Sequence, residues 1–170
     1  MLHVNGATRT TTPFVVTPFE ERGAIFAPGG HWVAYVSNKS GRNEIYALPY
    51  PGPGREITMS VGGGQEPVWG PSGRELFYRS DGKLLVVRIE ESAASLTVGA
   101  PTRVFDDHYQ VDTSSALGGN SNYDISPDGQ RFVMVEEPGP PTASGGVSQT
   151  ARLHLILNWF EELKAKVPRN

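Results

Sequence analysis

The chain contains no cysteine among its 170 residues, and this removes disulfides, thiolate-ligated zinc and a thiol nucleophile together. The absence leaves compartment open, because a cysteine-free chain suits oxidising and reducing surroundings alike. Long apolar runs are missing as well. No stretch reaches the roughly 18 residues of a spanning helix, and residues 1–22 hold no signal-peptide core. No direct membrane contact and no export signal are therefore expected. Basic clusters are also absent: 15 Lys and Arg against 18 Asp and Glu leave a net charge of −3 with no run of one sign. The electrostatic footprint that nucleic acid requires is missing, so nucleic acid is not an expected partner.

Turn formers are abundant. Twenty glycines and 14 prolines, with 38% hydrophobic residues, argue for a folded chain of many short strands joined by tight turns. One plan occurs three times, at Ile25–Val36, Val68–Tyr78 and Asn122–Val135. In each, an apolar residue stands two before a proline and a glycine two after it, and Tyr35, Tyr78 or Met134 follows five beyond the glycine. Pro presets φ in such a turn and Gly accepts φ > 0, so the turn sets the register of the hairpin around it. A unit recurring in this way buries its apolar faces by stacking on copies of itself.

Pro28 and Pro71 are 43 residues apart, within the period of about 40 to 45 expected for four-stranded propeller blades. Pro127 follows 56 residues after Pro71, the excess falling in the polar stretch 106–121. The predicted fold class is all-β: about three four-stranded antiparallel β-propeller blades, the last incomplete, plus a short C-terminal α-helix. The blades are expected at about 24–60, 67–105 and 122–157, within a partial propeller over 13–157. Residues 1–12 read as a disordered or loose lead-in and 13–17 as an extra outer strand. At 158–167, Asn158 with Glu161 has capping-box spacing, Lys164 and Lys166 suit the C-terminal end of a dipole, and Pro168 stops the helix, which would cap the last blade.

Trp32, Tyr35, Trp69, Phe77, Tyr78, Tyr123 and Phe132 fall at alternating strand positions and are expected to pack blade against blade rather than cage a ligand. The motifs Ser126-Pro-Asp-Gly129, Trp32 to Tyr46, Gly62-Gly-Gly-Gln-Glu-Pro-Val-Trp69 and Leu157-Asn-Trp-Phe-Glu-Glu-Leu163 resemble TolB-like (WD40-like) β-propeller repeats. More narrowly they are similar to the C-terminal propeller of bacterial serine/threonine protein kinases. The resemblance spans about Pro13 to Pro168; Ala27-Pro-Gly-Gly30 and Gly70-Pro-Ser-Gly73 depart from it in lacking the turn Asp. It implies a six-bladed ring used for binding or sensing, extracytoplasmic when joined to a membrane-anchored kinase and otherwise cytoplasmic. No Gly-rich phosphate loop with a catalytic Lys, no His-Arg-Asp and no Asp-Phe-Gly is present.

A ring needs more than three blades. Either earlier blades of the same polypeptide precede this sequence, or a homodimer closes the ring, with the unmatched strand at 13–17 completing the partner's third blade. Strand parity places the long loops on one end, opposite the Pro-Gly turns. The candidate binding residues there are Asn38, Arg42, Gln65, Glu66, Asp81, Asp107, His108, Tyr109 and Asn120.

Asp106-Asp107-His108 matches no ligand spacing and reads as a solvated loop. Gly62–Gly64 is followed by no helix that would make it a phosphate site. No catalytic constellation, metal or cofactor is expected, and no Gly-x-Ser-x-Gly elbow exists. The expected function is a non-catalytic protein-binding or ligand-sensing module, the C-terminal part of a kinase-linked receptor. The alternatives are an accessory propeller of a peptidase or hydrolase, and a stand-alone adaptor.

Overall fold

The computed structural model describes residues 2–5, 8–92, 95–111, 121–136 and 152–157, and every described element is a strand. Strand β1 (Leu2–Asn5) pairs β2 (Thr8–Thr11) as an isolated antiparallel hairpin. Strands β3 (Glu21–Phe26), β4 (Trp32–Ser37), β5 (Glu44–Pro49) and β6 (Ile57–Thr58) follow in order as a four-stranded antiparallel sheet. The second sheet contains β7 (Gln65–Trp69), β8 (Glu75–Ser80), β9 (Lys83–Glu91), β10 (Leu96–Val98) and β11 (Thr102–Asp106). The third contains β12 (Tyr123–Ile125), β13 (Arg131–Glu136) and β14 (Arg152–Leu157).

The hairpins form where the turns dictate. Gly30, Gly73 and Gly129 each donate to the carbonyl three residues back, at 2.8, 2.9 and 2.7 Å, with φ of 72°, 71° and 68°. L-residues rarely enter that region, which explains why glycine stands at this position in every repeat. Asp81-Gly82, with φ of 50° and 65°, joins β8 to β9 in a two-residue turn that pairs Ser80 with Lys83.

Packing follows strand parity across the repeats. Counting from the turn glycine, the even positions of each second strand face the next blade and the odd positions face the previous one. Trp32, Ala34 and Val36 of β4 thus meet Leu76 and Tyr78 of β8 in one core cluster, joined by Ile45, Ala47, Val87 and Ile89. Phe77 of β8 meets Phe132 and Met134 of β13 in a second cluster, with Tyr123 and Ile125. The rings of Phe77 and Phe132 cross edge to face at 5.1 Å. The middle blade thus buries one apolar face on the first blade and the other on the third.

Several expectations are corrected. The lead-in contains a hairpin rather than loose chain, and Phe14–Thr17 is not a strand. Pro13 and Pro18 bracket that run; proline supplies no ladder donor and restricts the residue before it. Phe14 instead lies 6.0 Å from the ring of Tyr50, which Phe26 also meets edge to face at 5.2 Å. The second blade also carries a fifth strand, because β9 runs long: β11 pairs its first half and β10 its second. The β11–β9 ladder itself carries a bulge between Arg103 and Phe105. The expected helix at 158–167 lies outside the described residues.

Candidate functional site: the loop-bearing end

Two ends of the stacked sheets differ in construction. At one, the Pro-Gly turns stand side by side: a Cβ on Gly73 would lie 3.7 Å from Pro28 Cδ, and one on Gly129 3.9 Å from Pro71 Cδ. The other end gathers the 38–43 turn, the Gly62–Glu66 connection, the Asp81-Gly82 turn and the 107–111 segment. Gly64 donates to Asn43 O at 2.9 Å, Asp107 to Gly82 O at 2.8 Å, and Gln110 to Val135 O at 2.8 Å, so each loop is stitched to its neighbour.

Beneath these loops lies a buried ionic node. The Arg79 side chain is 2% exposed. Its Nη1 donates to Glu66 Oε2 at 3.1 Å and also to the carbonyl of Gln110, while Nε stands 2.7 Å from Asp107 Oδ2 with its hydrogen turned off the line. The guanidinium carbon lies 5.1 Å from the centre of the Tyr123 ring. Tyr123 donates its hydroxyl to Glu66 O at 2.8 Å, and the Asn122 amide donates to Glu66 Oε2 at 2.9 Å. Burial pushes the Tyr123 phenol well above its ordinary pKa against the opposing pull of Arg79, so it stays a neutral donor. One cation thereby ties β7, β8, the 107–111 segment and β12 together.

Local backbone makes this node possible. Glu66 has φ of 50° beside a register shift between Gln65 and Val68. The first blade has the same irregularity between Arg22 and Ile25, where Gly23 takes φ of 61°. At the corresponding bulge the second blade spends a non-glycine residue, at roughly 1 kcal/mol or more of strain, and gains a carboxylate aimed at Arg79.

Of the expected binding residues, Glu66 and Asp107 turn inward to Arg79, with side chains 3% and 1% exposed, and hold the scaffold rather than face solvent. Asn38 accepts from the Glu20 amide at 3.1 Å, and Arg42 donates to Glu44 at 2.8 Å. Asp81 is exposed and pairs Lys83 at 3.1 Å; Gln65 is half-buried at the start of β7. His108 stacks on Tyr109 at 4.5 Å, and Tyr109 lies 5.5 Å from the ring of His154. His154 Nε2 is 2.7 Å from Glu136 Oε2, a contact that holds the Glu136 carboxyl below its ordinary pKa. Asn120 lies outside the described residues. No group of three or more potential metal ligands occurs among the described residues.

Arg79 is the residue that reading for loops missed. A signal was available, since Val36 and Val135 stand six beyond the turn glycine where the second repeat has Arg79. A groove of about 540 Å³ runs past the innermost strands of all three sheets, between Ile25, Trp69 and Tyr123. The Trp69 indole N–H is buried and has no hydrogen-bond partner among the described residues.

Antiparallel sheets of this strand order, stacked face to face around their innermost strands, are successive β-propeller blades. Solved structures share the fold. Oligogalacturonate lyase from Vibrio parahaemolyticus superposes with a TM-score of 0.52 at 15% identity, over 85% of this chain and 38% of that one. A protein described as a TolB from Agrobacterium tumefaciens gives 0.52 at 20% identity, over 84% of this chain and 47% of that one. At these identities the likeness is one of fold, that of TolB-like propellers, and this chain spans less than half the length of either structure. No protein-family model matches the sequence, and no curated protein matches it.

Proposed function

We propose that this chain is a non-catalytic β-propeller module that binds a protein or a small ligand on its loop-bearing end, as the C-terminal part of a longer kinase-linked receptor. The observation that carries the binding role is the Arg79 node: a fully buried cation with two carboxylates, placed directly under the loops. Such a node is costly to desolvate and adds little net stability over an apolar core. It does give the loops above it a fixed position, as a recognition surface on a rigid scaffold requires. Arg42, Asp81 and His108 are the exposed groups held there, with half-buried Tyr109 beside them.

Two observations support the longer parent. The repeats and the Asn158-Trp-Phe-Glu-Glu-Leu163 motif are similar to kinase-linked propellers, and the chain corresponds to less than half of each of the two solved propellers described above. Mapping the 5′ end of the transcript and reading the frame upstream tests the proposal. A kinase domain followed by a membrane helix is the expected result. A transcript that begins at Met1 contradicts the receptor reading, and a nucleophile-elbow domain upstream replaces it with a hydrolase accessory.

A further inference from the structure

Among the described residues the third blade is short of a strand. The first sheet ends in β6 and the second in β11, each paired beyond the third strand of its blade. In the third sheet, β14 pairs only β13 among the described residues. An open edge of this kind presents unpaired N–H and C=O groups and templates pairing with another strand.

Its apolar face is open too. Val133 stands four beyond the turn glycine, the position filled by Ala34 and Phe77, which are each 0% exposed against the next blade. Val133 is 37% exposed, and on the same face of β14 Leu153, Leu155 and Leu157 are 75%, 60% and 56% exposed.

The opposite end of the chain has the complementary surplus. Hairpin β1–β2 pairs with no other strand among the described residues. An isolated two-stranded hairpin is at best marginally stable in water, so it gains by joining a sheet. The segment after it exposes Val16 at 81% and Phe19 at 47%. A hairpin with no third strand beside it among the described residues, followed by exposed apolar side chains, is what a sheet edge beside an exposed leucine row can accept.

We infer that the fourth-strand position of blade three, open among the described residues, is filled by the β1–β2 hairpin of a second copy of this chain, in a two-fold dimer. Val16 and Phe19 of that copy are thereby brought to the Leu153, Leu155 and Leu157 face. The contact joins unlike surfaces and is made twice, so the assembly closes without growing into a fibre. The inference does not depend on an upstream kinase, and its test uses the chain alone. If a kinase does precede the module, the same exchange pairs two receptor chains.

The experiment is sedimentation equilibrium on the full chain, on a variant lacking residues 2–11, and on Leu155→Lys. The full chain is expected to dimerise, each variant to associate at least tenfold more weakly with unchanged far-UV circular dichroism, and the two variants mixed to form a heterodimer through the one contact left intact. Leu155 is exposed and the hairpin is a separate sheet, so at least one variant retains the fold and decides the matter. A full-length chain that stays monomeric with full β content overturns the inference. So does a dimer that persists without residues 2–11, which would mean that two β14 edges pair with each other.

Discussion

Arg79 Nε and Asp107 Oδ2 face each other at 2.7 Å, with both side chains no more than 2% exposed. One belongs to the second strand of blade two and the other follows its outermost strand, so the pair spans the blade. Replacing Arg79 by Ala leaves the Asp107 and Glu66 carboxylates buried without their cation. A loss of about 3–5 kcal/mol of unfolding free energy is expected, read by urea denaturation. Arg79→Val, which restores the residue of the other two repeats, is expected to rescue stability only when Glu66→Gln and Asp107→Asn are introduced with it.

The turn glycines give a second test. Gly129 has φ of 68°, and Gly129→Val is expected to destabilise by roughly 1 kcal/mol or more. An unchanged melting curve contradicts the turn assignment. Gly30→Val and Gly73→Val, at φ of 72° and 71°, are expected to behave alike.

Acid behaviour follows from Asp128. Its carboxyl accepts from the Ser126 hydroxyl and the Gln130 amide and pairs with Arg131, which lowers its pKa from 3.8 to about 2. A depressed folded-state pKa contributes stability that is fully present above the unfolded value. That contribution declines as pH falls from about 3.8 and is gone below about 2. The expected result is an Asp128 side-chain titration by NMR with a midpoint near 2, and a smaller loss of stability on acidification in Asp128→Asn. The other two turns, Ala27–Gly30 and Gly70–Gly73, lack this Asp and contribute nothing in the same window.

Loop-end variants separate scaffold from surface. Asp81→Asn, which keeps a residue suited to φ of 50° in the turn, removes only an exposed pairing with Lys83 and is expected to change stability by less than about 0.5 kcal/mol. Asp107→Ala, with its carboxylate held by Arg79, is expected to cost several times that. Equal effects of the two on chemical denaturation would contradict the placement of Asp107 inside the node.

The blades themselves were legible in the sequence because three devices agreed there: a turn glycine that needs φ > 0, a period of 43 residues between Pro28 and Pro71, and apolar residues on both strand faces. The strand expected at 13–17 is absent because, although Phe14–Thr17 has strand-forming side chains, the two prolines around it govern its backbone. Strand β10 was missed because Leu96–Val98 is too short to stand out, and its pairing depends on how far β9 extends. At the candidate site, loop positions could be counted from strand parity, but the inward turn of Glu66 and Asp107 is a matter of side-chain direction. Only Arg79, in a valine position, marked in the sequence where two acids would be drawn under the loops.

Native-state hydrogen exchange tests the stacking of three blades under a braced loop end most directly. The account predicts slow exchange in β4, β8 and β13 together, with the amides of Gln110 and Asn122, bonded to Val135 O and Glu66 Oε2, protected in the parent and fast in Arg79→Ala. Exchange of β13 at the rate of an unstructured peptide while β4 and β8 stay protected would contradict it, because the third repeat would then not be a stacked blade.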